Sequence, residues 1–349
     1  MEFLSEYGLF LAKSVTVLVS VLIVIVALVG LGQRSKQADK GHIEVKSIND
    51  AVHNITHHLK QVILDPEARK LEFKSDKKKA KNDQKSRKKE AKQGEHSRNR
   101  VFVVEFEGDI PATGVAGLRE EVTAILSVAT EEDEVVVCLE SPGGMVHSYG
   151  LAASQLLRIV SRKIPLTIAV DKVAASGGYM MACVGDKILA APFALLGSIG
   201  VLAQIPNFHR LLKKNDIDVE ILTAGEYKRT LSMFGENTEK GREKFISELE
   251  DVHALFKDFV SEHRPVVDTE KVATGEAWYG KRALEQKLVD ELMTSDEYII
   301  DKCEDSDVFQ VKYVEHHNRV EKLLDRLTYA WSRVNGADFL QRNQGPFTY

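Results

Sequence analysis

The stretch PLTIAVDKVAASGG, residues 165–178, is an apolar run that ends in a serine flanked by alanines and glycines. A run of this kind, rich in β-branched residues and bounded by a turn, is typical of a buried strand. The same pattern, an apolar run followed by a glycine-containing turn, occurs in EVVVCLESPGG, residues 134–144. Two predicted strands therefore each run into a turn that contains two glycines, and this pair indicates where the chemistry of the domain lies.

The neighbouring segments predict an α/β domain with a mostly parallel sheet. Strands that alternate with amphipathic helices at this spacing form parallel sheets. The segments are a strand at 101–108, helices at 115–129 and 148–162, and two short strands within 186–201. Residues 188–208 are apolar enough to suggest a membrane span, but two prolines and two glycines within them favour buried strands and turns.

An N-terminal transmembrane helix is predicted over residues 9–32, after a short flank at 1–8. The only charge in this apolar stretch is Lys13, and the stretch is long enough to cross a bilayer of about 30 Å. A cleaved signal peptide is the alternative, but the start of the chain is acidic rather than basic. Basic residues follow the span, which by the positive-inside rule favours a cytoplasmic body.

Residues 33–73 are predicted to contain a juxtamembrane amphipathic helix. Apolar residues recur there at steps of four and three, at Ile48, Val52, Ile55, Leu59 and Val62. This spacing fits a short amphipathic helix that stops at Pro66, or a coiled-coil seam between protomers.

Residues 74–99 form a basic linker. Residues 74–100 hold twelve Lys/Arg and four Asp/Glu, which is a charge of +8 within a chain of net charge −5. The segment has no apolar residue larger than alanine, so it cannot form a core and is expected to be a solvated tether or an exposed helix. Contact with anionic lipid is a further possibility, whereas the missing aromatic residues argue against nucleic-acid binding.

The globular domain is predicted to cover residues 100–315, with a helical tail at 316–349. A long helix is expected over 237–263, capped by Asn237 or Thr238. The three cysteines, Cys138, Cys183 and Cys303, have no ligand-like spacing, and the two in apolar runs are expected to be buried small hydrophobes.

The two glycine turns indicate acyl chemistry. Glycines allow a sharp turn and a close approach to peptide N–H groups, so two such turns can converge on one oxyanion. A serine at a strand-to-helix turn, Ser176, would project its Oγ from the sheet edge with its own N–H at a helix N-terminus. Its base would be His147 or Lys228, which follows a predicted strand at VEILT, residues 219–223. The alternative is that both turns are purely structural.

The order of five motifs resembles that of the signal peptide peptidase A family of serine proteases. The motifs are ESPGG, KVAASGGYMMA, APFALLGSIGV, TAGEYKRT and GEAWYGKRALEQKLVDEL. The anchor and single catalytic domain are most similar to the inner-membrane branch found in Gram-negative bacteria. The resemblance implies a ClpP/crotonase-like fold of repeated β-β-α units, and a homo-oligomer whose active sites lie at subunit interfaces.

The resemblance also implies the site residues. Ser176 would be the nucleophile, Lys228 the general base and Ser198 the serine that supports the lysine. The N–H groups of Gly144 and Gly177 would form the oxyanion hole. No metal and no cofactor is expected. The implied substrates are signal peptides or other membrane-derived peptides, and the family is usually placed facing the periplasm.

Two other functions are compatible with the sequence. A crotonase-type acyl-CoA enzyme also pairs two glycine turns, but it would not need Ser176 or Lys228. A non-catalytic membrane scaffold would not need an intact dyad motif.

Overall fold

The computed structural model describes residues 7–20, 41–93 and 98–315. The chain divides into two compact units, one of Met1–His42 with Val314–Asn343, and one of Ile43–Tyr313 with Gln344–Tyr349. In the first unit, residues 7–20 are helical (α1). Within the described ranges no helix is both long and apolar enough to cross a membrane. The rest of the predicted span, 21–32, and the predicted helical tail, 316–349, lie outside the described residues.

Ten strands are present in the described part of the chain. They are β1 His42–Ser47, β2 Arg100–Glu107, β3 Glu134–Glu140, β4 Leu166–Val170, β5 Val173–Ala175, β6 Lys187–Ala190, β7 Leu195–Gly197, β8 Ala277–Tyr279, β9 Glu291–Leu292 and β10 Asp307–Val314.

The helices that follow α1 alternate with these strands. They are α2 Ile48–Ile63, α3 Pro66–Gln93, α4 Val115–Leu126, α5 Val146–Val160, α6 Gly177–Ala182, α7 His209–Lys214, α8 Glu239–His263, α9 Thr269–Val272, α10 Gly280–Glu285 and α11 Ser295–Asp305.

The strands form two sheets. The larger has the order β1-β10-β2-β3-β4-β6-β9, and its pairs from β10 to β9 are parallel. The smaller has the order β5-β7-β8, with β5 parallel and β8 antiparallel to β7. The predicted mixed α/β class with a parallel sheet is therefore confirmed. The run at 165–178 is two strands rather than one, because the chain leaves the large sheet after β4 and enters the small sheet as β5.

The large sheet is apolar on both faces, which explains the nearly continuous apolar runs of its strands. In β2, Phe102, Val104 and Phe106 join the main core, whereas Val101 and Val103 join a smaller cluster on the other face. Helices α4, α5 and α6 cover the main core with buried apolar side chains. Each large apolar side chain that is fully buried contributes about 1.5–3 kcal/mol.

Residues 74–93 of the basic segment belong to a helix, α3, that follows α2 after a short break. Ser47 caps α2 by accepting a hydrogen bond from Asp50 N–H. Pro66 does not simply stop the pattern, because it is the first residue of α3, a position that suits proline. No residue of α2 is buried, and its apolar side chains Ile55, Leu59 and Val62 are exposed.

One predicted strand is absent. Residues 219–223, the VEILT stretch, have no regular structure, and Leu222 is 89% exposed. The prediction of a strand there was wrong for this single chain, because no described strand lies alongside to complete its backbone hydrogen bonds.

Candidate active site

The ends of β3 and β5 bring the two glycine turns together. Ser141 N–H donates to Val173 C=O at 2.8 Å, and Ala175 N–H donates to Ser141 C=O at 3.0 Å. These two bonds extend the pairing beyond the end of β3, where Ser141 faces Ala174 in parallel register. The SPGG turn therefore begins beside the residues that lead into Ser176.

The two turns are in direct backbone contact. Gly143 has a φ of +88°, and a Cβ placed on it would lie 2.6 Å from Ala175 O and 2.7 Å from Gly177 N. A Cβ on Gly178 would lie 2.5 Å from Ser141 O. Glycine is therefore required at both positions by contact between the turns, and at Gly143 also by its left-handed φ.

Ser176 lies at a strained turn between β5 and α6. Its φ is +51° and its ψ is −119°, a combination that costs about 1–3 kcal/mol for a non-glycine residue. Its side chain is partly exposed, and Oγ makes no hydrogen bond within the described residues. Its own N–H, which lies at the N-terminus of α6, donates to Gly197 C=O at 2.7 Å.

Backbone donors lie next to this serine. Gly143 N–H donates to Ser141 Oγ at 3.1 Å, and Met145 N–H donates to Ile110 C=O at 2.9 Å. Gly144, between them, has no hydrogen-bond partner for its N–H in the described part of the chain. The same is true of Gly177 N–H. Both glycines suggested for the oxyanion hole thus have unused donors.

Ser198 occupies the position equivalent to Ser176 on the neighbouring strand. In the parallel β5–β7 pair, Ala175 lies opposite Gly197, so each serine directly follows a paired residue. Ser198 also has a positive φ, +50°, and its N–H donates to Glu276 C=O at 2.7 Å. The structure thus places the two serines at one end of the small sheet.

Lys228 lies in a different environment. Its side chain is exposed, and Nζ makes no hydrogen bond or ion pair within the described residues. No bond joins it to Ser176 or Ser198. The other candidate base, His147, is also exposed and forms no hydrogen bond in the part of the chain that the structure describes.

The segment that carries Lys228, residues 201–238, has little secondary structure apart from α7. It is nevertheless rich in exposed apolar side chains, and contiguous patches of such side chains often belong to interaction surfaces. These are Leu202, Ile205, Phe208, Leu211, Ile217, Val219, Ile221, Leu222, Tyr227, Met233 and Phe234.

A cavity of about 350 Å³ lies elsewhere, against the carboxyl ends of β2, β3 and β4. Its lining includes Glu105, Glu140 and Asp171 but not Ser176. The described residues contain no group of three or more His, Cys, Asp or Glu side chains placed to hold a metal ion.

Two polar residues that the sequence did not single out support the glycine turns. Ser141 and Tyr149 are fully buried, and their hydroxyl oxygens are 2.6 Å apart. Tyr149 occupies the buried face of α5 with Ala152, Ala153 and Leu156, so its spacing indicates an ordinary core residue. Only the proline-glycine turn that follows Ser141 hinted at a special role for that serine.

Comparison with known proteins gives a consistent result. Residues 2–156 match the family model "Peptidase family S49 N-terminal", and residues 158–308 match "Peptidase family S49". A protein named "Probable protease SohB" from Haemophilus influenzae is 50% identical over 316 residues, 89% of each chain. Two Buchnera aphidicola proteins have the same name. The one from subspecies Acyrthosiphon pisum is 51% identical over 71% of this chain and 74% of its own. The one from subspecies Schlechtendalia chinensis is 44% identical over 86% of this chain and 100% of its own. The resemblance to this family of peptidases, deduced from the motifs, is confirmed, and the relatives named SohB agree with the predicted branch.

Proposed function

The chain belongs to peptidase family S49 and is a peptidase, and from that premise we propose that it is a serine endopeptidase with a Ser176–Lys228 dyad. The observation that carries the proposal is the arrangement at the two glycine turns. Within the described chain, the Ser176 hydroxyl on its strained turn makes no hydrogen bond, and the nearby N–H groups of Gly144 and Gly177 have no acceptors. A nucleophile beside preorganised donors is what acyl transfer requires.

The proposed reaction has two steps. Neutral Lys228 accepts the Ser176 proton while Oγ attacks the peptide carbonyl, and the N–H groups of Gly144 and Gly177 stabilise the oxyanion. Lys228 then protonates the leaving amine, which leaves an acyl-enzyme. Water, deprotonated by Lys228, attacks the ester carbonyl, and Ser176 recovers its proton as the carboxylic acid leaves.

The lysine is proposed to reach Ser176 in an oligomer. A free lysine has a pKa of about 10.4, so a lysine base needs an apolar environment that favours the neutral amine. In the single chain Lys228 is exposed within a segment whose apolar side chains are largely exposed. Packing of residues 201–238 against a neighbouring copy would bury the lysine beside that copy's Ser176 and Ser198, so assembly would switch the enzyme on.

The remaining features of the proposal concern the membrane and the substrate. Residues 9–32 are proposed to anchor the chain in the bacterial inner membrane, with 33–99 linking the anchor to a peptidase domain at 100–315. Signal peptides and other membrane-derived peptides are the proposed substrates. The charges after the anchor favour a cytoplasmic domain, whereas the family favours the periplasm, and a reporter fused after Tyr349 would distinguish the two.

The experiment measures peptide hydrolysis by the full-length protein in detergent, with its mass monitored. Ser176→Ala and Lys228→Ala should each lower kcat by about 10⁴- to 10⁶-fold, as removal of a catalytic nucleophile or base does. Lys214→Ala is the matched control, an exposed lysine of the same segment. If Ser176→Ala retains activity, the dyad is wrong, and His147 or a crotonase-type acyl-CoA site becomes the better explanation.

Mixing the two inactive variants tests the interface. If Ser176 and Lys228 come from different copies, reassembled mixed oligomers contain some intact pairs, about one quarter of all sites in a random equal mixture around a closed ring. If both residues come from the same copy, every site lacks one of them and mixing restores nothing. An active isolated monomer would also contradict the interface model. If the purified wild type hydrolyses no peptide, the non-catalytic scaffold becomes the better explanation.

A further inference from the structure

A buried chain of hydrogen bonds links the SPGG turn to the loop after β2. Gly143 N–H donates to Ser141 Oγ at 3.1 Å, Ser141 Oγ lies 2.6 Å from Tyr149 Oη, and Tyr149 Oη donates to Asp109 C=O at 2.8 Å. Ser141 and Tyr149 are each 0% exposed. The two bonds of Ser141 are therefore shielded from bulk water, and the bond to Asp109 C=O is partly shielded.

The direction of the middle bond follows from the number of protons. Asp109 C=O can only accept, so the single hydroxyl proton of Tyr149 is directed to it. Ser141 must then donate its proton to Tyr149 Oη, which leaves Ser141 Oγ as the acceptor for Gly143 N–H. Burial raises the pKa of Tyr149, which keeps this hydroxyl protonated. Each hydroxyl donates once and accepts once, and bonds arranged in this way strengthen one another.

These three hydrogen bonds, called the Ser141 relay below, hold the residue before Gly144, and a second contact holds the residue after it. Gly143 N–H is held by Ser141, and Met145 N–H is held by Ile110 C=O at 2.9 Å. The intervening N–H of Gly144 has no partner in the described part of the chain. A Cβ on Gly144 would overlap the Ile110 backbone, so Gly144 packs closely against that loop.

Tyr149 also contacts the second turn. A Cβ placed on Gly177 would lie 2.7 Å from Tyr149 Cδ2 and 2.8 Å from Tyr149 Cβ. The ring thus supports Gly177 while the hydroxyl holds the SPGG turn through Ser141. One side chain touches both of the segments that present unused N–H groups beside Ser176.

We infer that Tyr149 is a positioning residue for the oxyanion hole, which it aligns through the Ser141 relay on one turn and through ring contact on the other. The inference rests on the proposed function, because it concerns the same site. Tyr149 does not touch the reacting atoms. Its effect is exerted through the direction in which the N–H groups of Gly144 and Gly177 point.

The test compares Tyr149→Phe with Tyr179→Phe in the full-length protein. Tyr179 is a matched control because it is also 0% exposed and its hydroxyl also donates to a backbone carbonyl, that of Leu288, at 2.9 Å. Each substitution removes one buried hydroxyl and keeps the ring. Both variants should lose similar thermal stability, but only Tyr149→Phe removes a link to the SPGG turn.

Kinetics separate alignment from general destabilisation. Tyr149→Phe should lower kcat by about 10- to 100-fold, less than the 10²–10³ that follows outright loss of an oxyanion donor, with KM changed by less than about twofold. A peptide aldehyde, whose adduct carries the oxyanion, should lose affinity by the same factor as kcat. Tyr179→Phe should keep kcat within about threefold of wild type, since its lost bond does not reach the turns.

The outcomes are distinct. Equal kcat values for the two variants would overturn the inference, as would a change confined to KM. If Tyr149→Phe does not fold, Ser141→Ala breaks the same relay and must show the same kcat and aldehyde losses. Where both variants fold, the double variant Ser141→Ala/Tyr149→Phe should have a kcat no lower than that of either single variant. If the wild type itself hydrolyses no peptide, the proposed function fails instead, and faster amide exchange at Gly143 in Tyr149→Phe still tests the relay.

Discussion

Replacement of Gly143 by alanine should both destabilise the protein and displace Ser176, the proposed nucleophile. Alanine at a φ of +88° costs about 1–2 kcal/mol, because an L side chain is disfavoured in the left-handed region. The new Cβ would also lie 2.6 Å from Ala175 O, 2.7 Å from Gly177 N and 2.8 Å from Ser176 Cβ. Relieving such overlap in a packed interior costs about 1–3 kcal/mol more, so the total is about 2–5 kcal/mol.

Gly275→Ala separates the two contributions. Gly275 has almost the same φ, +87°, but a Cβ placed on it would meet nothing within 4 Å. Its replacement should therefore cost only the conformational part, about 1–2 kcal/mol. The difference between the two variants measures the contact between the glycine turns.

Urea denaturation of both variants under identical conditions gives the comparison, and hydrolysis of a peptide substrate gives the functional effect. Gly143→Ala should have the lower unfolding midpoint, and its kcat should fall because Ser176 and Gly177 are pushed from their positions. Equal midpoints for the two variants would refute the packing of one turn on the other, and with it the structural basis of the proposed site.

Three further predictions concern Ser176, Asp133 and Cys183. Ser176→Gly should be more stable than Ser176→Ala by about 1–2 kcal/mol in thermal unfolding, since glycine relieves the strain at φ +51°, and equal stability would contradict that strain. Asp133→Asn should cost about 3 kcal/mol at pH 7, because it breaks a nearly buried ion pair in which Arg100 Nη2 lies 2.6 Å from Asp133 Oδ2. Burial alone would raise the pKa of Asp133, but hydrogen bonds led by that from Arg100 lower it. The stability difference between wild type and Asp133→Asn should therefore be complete above the ordinary carboxylate pKa and should vanish as the pH falls through the lowered pKa of Asp133. A stability difference that persists in acid would be evidence against the ion pair. Burial raises the pKa of Cys183 to about 12, so this thiol should not react with a disulfide reagent at pH 8 until the protein is denatured, and fast native labelling would contradict its burial.

Features coded by consecutive residues were predictable from the sequence. The apolar runs of β2, β3 and β4 identify strands because burial on both faces leaves no polar alternation to obscure them. The N-cap of α8 was recognisable as Asn237 or Thr238, and Thr238 is the residue whose side chain accepts from Gly241 N–H. The glycine turns marked the site for the same local reason, since a required positive φ or close approach leaves few other residues possible.

Features that depend on a partner distant in sequence were not predictable in this way. The VEILT stretch has strand composition but no neighbouring strand in the described chain, and composition alone cannot supply a hydrogen-bonding partner. Tyr149 has the spacing of a core residue, and its link to Asp109 appears only when α5 packs beside the loop after β2. The division of 165–178 between two sheets is likewise a matter of which strands lie alongside.

The sequence by itself determined the α/β class, the family and the local turn that carries Ser176, because these follow from the spacing of apolar residues and from the positions of glycine. Tertiary structure alone decided that the SPGG turn packs against that serine and that Lys228 is exposed in the single chain. It also decided that Ser176 N–H donates to Gly197 C=O, whereas Gly144 N–H has no partner among the described residues. The physical reason is that a hydrogen bond or a van der Waals contact between distant residues exists only after packing has placed both partners, whereas a backbone preference belongs to each residue from the start.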